Sequence, residues 1–186
     1  MFMRWPLTHS LALTLTPVHL LVTTAIVLSL HPVMTRRFFI FCISSFVLAY
    51  GAEVWGVNSG VLFGTYTYGT VLGPGWMGTP IMIGITWLLL IYLFGQAIEG
   101  LARPAWVKAI LIGVLMTGFD TMIEPVAMKL GFWHWPGGQV DAQNYLGWFV
   151  CATAIGYVYE RLVSGRNPVA VWVLVMNVLF FLGLRF

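Results

Sequence analysis

Two carboxylic acids, Asp120 and Glu124, lie one helical turn apart in one of the most apolar stretches of this 186-residue chain. A third, Glu53, interrupts another apolar stretch, LAYGAEVWGVNSG (48–60). A carboxylate that faces lipid costs about 3 kcal/mol, so all three side chains are predicted to face the protein interior. Because desolvation and mutual repulsion oppose two neighbouring charges, the pair favours one neutral acid beside one anion. Such a pair is suited to donating and accepting protons.

The residues around these acids leave two classes of function open. Aromatic rings are abundant nearby, and their π faces can stabilise a developing cation. An acid, a base and aromatic walls next to lipid suit the protonation of a hydrophobic alkene. The same groups would equally suit a proton-coupled carrier or channel for a small solute.

Helical spacing predicts that the acids belong to polar faces of their helices. One stripe, at positions i, i+3, i+4 and i+7, is predicted to face the bundle interior; its members are Thr117, Asp120, Thr121 and Glu124. On the helix that carries Glu53, two small residues, Ser45 and Ala49, precede the acid at four-residue intervals. All three therefore lie on one face of that helix. Small side chains allow close helix approach at that face. The pattern predicts one polar pocket.

The elements that position these residues are predicted to be membrane-spanning helices. The chain is 60% hydrophobic and only 8% charged, whereas soluble domains carry roughly 25% charged residues. Six apolar stretches reach the length of about 20 residues that crosses a bilayer: 11–30, 38–57, 80–98, 105–128, 145–163 and 168–184. Lipid-exposed backbone must be hydrogen bonded internally. We therefore predict an all-α, polytopic bundle of about six spans, forming a single integral-membrane domain (1–186), with no nucleic-acid partner.

The distribution of charge predicts the orientation of this bundle. Six basic residues flank the connections between spans 1–2, 3–4 and 5–6, and three lie on the other side. The positive-inside rule therefore predicts both termini outside the cytoplasm. Two long loops rich in Gly, Trp and Tyr, 58–79 and 129–144, follow the spans that carry the acids. Antiparallel threading brings these loops and all three acids to one level of the bundle.

The remaining polar groups of the spans are predicted to have structural roles. Glu99 and Glu160 are expected at the interface, solvated or paired with the arginines that follow them in the chain. His19 and Asn177 are expected to form hydrogen bonds between helices. The first span is expected to be retained, because it is too long for the apolar core of a signal peptide and lacks a small-residue cleavage site.

Two segments resemble a known family. They are EVWGVNSGVLFGTYTYGTVLGPGWMGTPIMIGITWLLLIY (53–92) and DTMIEPVAMKLGFWHWPGGQVDAQNYLGWF (120–149), the second with D-x-x-x-E-P-V-A and N-Y-x-G-W patterns. Both resemble signature blocks of the bacterial and archaeal carotenoid biosynthesis membrane proteins. That family includes carotenoid 1,2-hydratases acting on γ-carotene and on bacterioruberin precursors. Together the blocks cover a little over a third of the chain.

The resemblance implies an enzyme of a prokaryotic cell membrane that adds water across the terminal C=C of an acyclic carotenoid ψ-end. It implies no redox cofactor and no metal. Asp120 or Glu124 would be the general acid, and Glu53 would orient the water and take up its proton. Further wall and binding residues would be Tyr66, Tyr68, Trp87, Asn144, Tyr145 and Trp148. The partners implied are the carotenoid and membrane lipid.

Other functions remain open beside this one. A carotenoid end-group cyclase or isomerase would form the same cation and lose a proton instead of capturing water. A carrier is less favoured, because spans 1–3 show no convincing repeat in spans 4–6 and the acids lie near one face instead of at the midplane. A homo-oligomer, or an association with other carotenoid enzymes, is compatible with the sequence.

Overall fold

The computed structural model describes residues 6–185, and α-helices account for most of this range. The helices are α1 (Pro6–Ser29), α2 (Arg36–Ser59), α3 (Ile81–Ile98), α4 (Ala105–Lys129), α5 (Ala142–Leu162) and α6 (Pro168–Arg185). Each begins and ends close to the bounds of a predicted span. Strands are limited, in the described residues, to four two-residue segments: β1 (Thr67–Tyr68), β2 (Gly75–Trp76), β3 (Thr79–Pro80) and β4 (Trp133–His134). The all-α class is confirmed.

Five of these helices are long and apolar enough to cross a membrane: His9–Ser29, Arg36–Ser59, Ile81–Ile98, Ala105–Lys129 and Pro168–Arg185. The helix outside this set, α5, carries polar side chains where it packs along α4. Near its start, Asn144 donates to Asp120, and near its end Glu160 pairs with Lys108 at 2.8 Å. Because these two partners lie near opposite ends of α4, α5 runs the length of the bundle antiparallel to α4.

The central helix of the bundle is α3. Of its most apolar window, 72% is buried, against 11% for α1 and for α6, and α3 contacts all five other helices. A helix that is apolar on every side is typical of a fully enclosed position. By contrast, α1 and α6 lie at the outside of the bundle, with many apolar side chains exposed where lipid would be.

The end of the bundle with the three short connections is held by a buried polar network. Gln96 of α3 donates to the hydroxyl of Tyr159 at 2.8 Å, and Asn167 donates to Val27 O at 2.9 Å. Lys108 pairs with both Glu99 and Glu160, at 3.4 and 2.8 Å. Both acids were expected to be solvated or paired with the arginines that follow them, and both pair with Lys108 instead. Lys108 lies nine residues after Glu99 in the chain, and it reaches Glu160 because α4 and α5 pack together.

At the other end, the two long loops pair with each other. β1 and β4 form a short antiparallel ladder with Thr67 opposite His134 and Tyr68 opposite Trp133. The backbone N–H of Gly69 extends it with a hydrogen bond to Phe132 O at 2.8 Å. The backbone groups of the two loops after α2 and α4 are thus hydrogen bonded to each other. The loops therefore form one layer over this end of the bundle.

A phenylalanine anchors this layer between two helices. Phe63 is completely buried and its ring lies against Gly56 of α2 and Gly147 of α5. A methyl group at either glycine would overlap the ring, so only glycine permits this contact. The small residues of the two helices therefore fix where the first loop enters the bundle.

We expect Gly147→Ala to lower the thermal unfolding temperature of the purified protein. The added methyl must displace both the backbone carbonyl of Leu62 and the ring of Phe63, and overpacking of this kind costs about 1–3 kcal/mol. Gly51→Ala is the matched control, since Gly51 is also helical and a methyl group there would meet no atom within 4 Å. Equal unfolding temperatures for Gly147→Ala and the unchanged protein would contradict the anchoring role of Phe63.

Candidate active site

Glu53, Asp120 and Glu124 line one cavity of about 930 Å³ beneath the paired loops. Their side chains are almost completely enclosed, at 1%, 1% and 3% exposure. Ser45 and Ala49 are buried as well, so the small-residue face of α2 packs inward as its spacing indicates. Antiparallel threading has brought acids from two helices, far apart in the chain, to one chamber.

The stripe predicted on α4 is only partly directed inward. Asp120 and Glu124 are buried, but Thr121 is exposed. Its hydroxyl donates to Thr117 O at 2.9 Å. A threonine that bonds to the preceding turn of its own helix needs no partner inside the bundle. Thr121 can therefore face lipid, and the prediction that it faces the interior is wrong.

Glu53 accepts three hydrogen bonds. Its Oε2 atom accepts from the hydroxyls of Tyr66 at 2.6 Å and Tyr68 at 2.8 Å, and Oε1 accepts from the indole N–H of Trp87 at 2.8 Å. Burial, reinforced by the neighbouring Glu53 carboxylate, raises the pKa of both phenols well above the usual range. The two tyrosines therefore remain neutral hydrogen-bond donors at physiological pH.

The second group of hydrogen bonds joins Asp120 and Glu124. The side-chain amide of Asn144 donates to Asp120 Oδ2 at 2.9 Å and to Glu124 Oε1 at 3.4 Å. The indole N–H of Trp133 donates to Glu124 Oε2 at 2.7 Å. A single amide on α5 thus bridges two acids of α4, which fixes the separation and orientation of the carboxyl groups.

The ladder between the loops connects these two groups of hydrogen bonds. Tyr68 and Trp133 are opposite each other in the ladder, and their rings meet edge to face at 6.3 Å. Tyr68 donates to Glu53, whereas Trp133 donates to Glu124. The pairing of β1 with β4 therefore positions the donors of acids on two different helices.

Aromatic rings form much of the surface around the acids. Trp87 and Trp148 stack at 4.3 Å between ring centroids, and Tyr66 and Trp135 stack at 4.9 Å. The indole N–H of Trp135 is buried near Glu124 but makes no close hydrogen bond with a described residue. Trp135 also lines the cavity, so its indole forms part of the wall beside the acids.

Four of the six predicted wall and binding residues line the cavity: Tyr66, Tyr68, Asn144 and Trp148. Trp87 lies behind the wall, where it donates to Glu53 and supports the ring of Trp148. Tyr145 is half-buried and lies outside the lining, because one residue along a helix from Asn144 turns the side chain to another face. The catalytic and binding roles of all these residues remain predictions.

Sequence reasoning missed Trp133 and Trp135 as residues of the site. They flank His134 in an extended segment, where side chains two residues apart point to the same side. Both indoles are buried and His134 is exposed. The alternation in FWHWP was the available signal.

His19 and Asn177 were expected to bond between helices, yet both line the cavity. Asn177 donates within its own helix to Val173 O at 2.8 Å.

The cavity extends from the acids to the outside of the bundle between α1 and α6. Several of the lining residues on these two helices are about half exposed or more: Leu15, Met176, Leu179 and Phe180. These residues lie within apolar spans, where the outer surface faces lipid. The cavity therefore has an apolar mouth at membrane depth, which we call the α1–α6 mouth. No Lys or Arg is among the described residues that line the cavity.

This fold and site define a polytopic helical membrane protein with buried acids in an apolar, aromatic-walled cavity. The chain belongs to the carotenoid biosynthesis protein family, whose model matches residues 15–185. The family resemblance of the two sequence blocks is thereby confirmed.

One curated relative is the bisanhydrobacterioruberin hydratase of Haloarcula japonica. It is 27% identical over 150 residues, covering 73% of this chain and 49% of the relative. The chain thus spans about half the length of the curated relative that it matches. No solved structure matches the chain.

Proposed function

We propose that the protein is a carotenoid 1,2-hydratase that adds water across the terminal C=C of an acyclic ψ-end. The observation that carries this proposal is the enclosure of three carboxyl groups in one apolar cavity with a mouth at membrane depth. An apolar cavity suits a hydrocarbon substrate, and the acids supply the protons that hydration requires. Membership of the carotenoid biosynthesis family and the hydratase named among its relatives support the choice of reaction.

The reaction divides into a protonation and a capture. The Asp120/Glu124 pair supplies a proton to C2; the π electrons form the new C–H bond and leave a tertiary cation at C1. Water attacks C1 while Glu53 accepts its proton, giving a tertiary alcohol. The proton on Glu53 then returns through solvent to the donor acid, so the cycle consumes only water. The product gains one water at each end group that reacts, and no electron transfer occurs.

The surroundings of the acids support a cationic intermediate. The described lining of the cavity contains carboxylates and no Lys or Arg, so its field favours positive charge. Aromatic faces such as that of Trp148 add attraction to a cation, worth about 2 kcal/mol or more when desolvated. These groups are held in place before the substrate arrives, which makes electrostatic stabilisation effective.

The substrate enters from lipid through the α1–α6 mouth in this proposal. An extended carotenoid is comparable in length to the hydrocarbon core of about 30 Å. Its end group can therefore reach the acids while the rest of the polyene lies in the mouth and in lipid.

We further propose that the chain forms a single integral-membrane domain in a prokaryotic cell membrane. Both termini are placed outside the cytoplasm in this proposal, because six basic residues lie at the short connections and three on the other side.

Expression in a lycopene-accumulating host tests the reaction class. Extracted pigments are expected to gain the mass of one water per end group, and oxygen-18 water should label the new hydroxyl. A pigment of unchanged mass with altered absorption would instead indicate a cyclase or isomerase. The reference is the same host expressing Asp120→Asn. If both strains yield the same unchanged pigments, the hydratase proposal is overturned and a carrier is favoured.

We expect Trp133→Phe to reduce conversion roughly tenfold, because a buried carboxylate loses a hydrogen bond worth about 1.5–3 kcal/mol when the acceptor is charged. The ring stays in place, so the ladder between the loops should persist. The measurement is pigment conversion per amount of membrane-extracted protein. Trp172→Phe is the matched control, since that indole is 67% exposed on α6. Equal conversion by the two variants would show that the bond to Glu124 is dispensable.

A further inference from the structure

The three acids of the cavity differ in how their oxygens are hydrogen bonded. Both oxygens of Glu53 accept hydrogen bonds, and so do both oxygens of Glu124. Asp120 accepts only at Oδ2, from Asn144, and no described residue donates to its Oδ1. Indole and amide N–H groups can only donate hydrogen bonds. A carboxyl oxygen that faces one of them therefore presents a lone pair and does not carry the proton.

The open oxygen of Asp120 borders the cavity. Asp120 lines the chamber. Its Oδ1 atom has no hydrogen-bond partner among the described residues, but it keeps some accessible surface and is not fully enclosed. A hydroxyl at Oδ1 would therefore lie at the wall of the chamber that the proposed substrate enters. A proton on Glu53 or Glu124 would instead lie on an oxygen already facing N–H or phenolic donors.

Charge repulsion indicates that one of the three acids retains a proton. Three carboxylates around an apolar chamber, whose described lining includes one histidine, His19, and no Lys or Arg, would repel one another strongly. Holding one proton relieves this repulsion, and coupled carboxyl pairs commonly share their protons in this way. The hydrogen bonds favour Asp120, because its Oδ1 is the one oxygen of these three carboxyl groups that accepts no hydrogen bond from a described residue.

We propose that Asp120 carries this proton on Oδ1 and is the acid that delivers it to C2, while Trp133 and Asn144 hold Glu124 as the anion. The location of the proton follows from the hydrogen bonds, and its delivery to carbon rests on the proposed function. In that step the Oδ1–H bond breaks, the alkene electrons form the C2–H bond, and Asp120 keeps the negative charge. Asn144 is a positioning residue in this step, since its amide donates to both acids and holds them together.

Infrared spectroscopy of the full chain in lipid nanodiscs tests the location of the proton. A protonated carboxyl has a C=O stretching band that moves to lower frequency in D2O and with carbon-13 in that carboxyl. The sequence contains only two aspartates, Asp120 and the exposed Asp141. Labelling the side-chain carboxyls of aspartate during cell-free synthesis therefore reports on Asp120 without changing the site, and Asp141→Asn removes the other labelled acid.

The band is expected to shift with labelled aspartate, to persist in Asp141→Asn and to disappear in Asp120→Asn. A band that moves only with labelled glutamate, or the absence of any protonated-carboxyl band, would overturn the assignment. Pigment conversion is measured on the same preparations. A protein with the proton on Asp120 that converts no carotenoid would leave its location standing and refute the proposed function.

Discussion

Replacing Asp120 by Asn is expected to reduce carotenoid conversion by about 10²–10⁴-fold, the usual effect of losing a general acid or base. The amide keeps the size of the side chain, and its oxygen can still accept the hydrogen bond from Asn144. It cannot deliver a proton to carbon, and at neutral pH alkene protonation needs a positioned acid. The measurement is pigment conversion per amount of membrane-extracted protein, together with the thermal unfolding temperature, which should change little.

Glu124→Gln is expected to cause a similar loss, because the two acids of α4 act as one unit through Asn144. For the same reason the double variant should be little worse than either single one. Asp141→Asn is the matched control for the chemical change, since Asp141 is exposed and an asparagine can also cap α5. Near-normal conversion by both single variants would make the pair structural.

Replacing Glu53 by Gln is expected to reduce formation of the hydrated product by about 10²–10⁴-fold, because the base that accepts the proton of water is lost. The fold should survive: the amide oxygen can accept from Trp87, and the amide nitrogen can donate to the hydroxyls of Tyr66 and Tyr68, which can rotate. A cation that is still formed but not captured should lose a proton instead. We therefore expect the remaining product to be a double-bond isomer of unchanged mass.

The control for Glu53→Gln is Glu99→Gln, which removes a carboxylate at the opposite end of the bundle, where Glu99 pairs with Lys108. It should affect stability slightly and leave the product distribution unchanged. Pigment masses and absorption spectra from both variants separate capture of the cation from its formation. Normal hydration by Glu53→Gln would assign the base to another group and remove Glu53 from the mechanism.

The helices and the level of the acids could be predicted because the physical causes are local or topological. An apolar run in lipid must satisfy its own backbone, so the span bounds follow from hydropathy alone. Alternating spans necessarily return Glu53 and Asp120 to one end of the bundle. The four-residue spacing of Ser45, Ala49 and Glu53 likewise determined which face of α2 is buried, because helical periodicity is a property of the segment itself.

Only the tertiary structure decided which side chains meet. Trp133 donates to Glu124 because β4 pairs with β1, and Lys108 reaches Glu99 and Glu160 because three helices converge. Thr121 lies outside, where its hydroxyl is satisfied within its own helix. A hydrogen bond requires its atoms within about 3 Å and well aligned, whereas periodicity places a residue only on a face. The partners of each acid, and with them the acid assigned to carry the proton, therefore depend on packing between segments far apart in the chain.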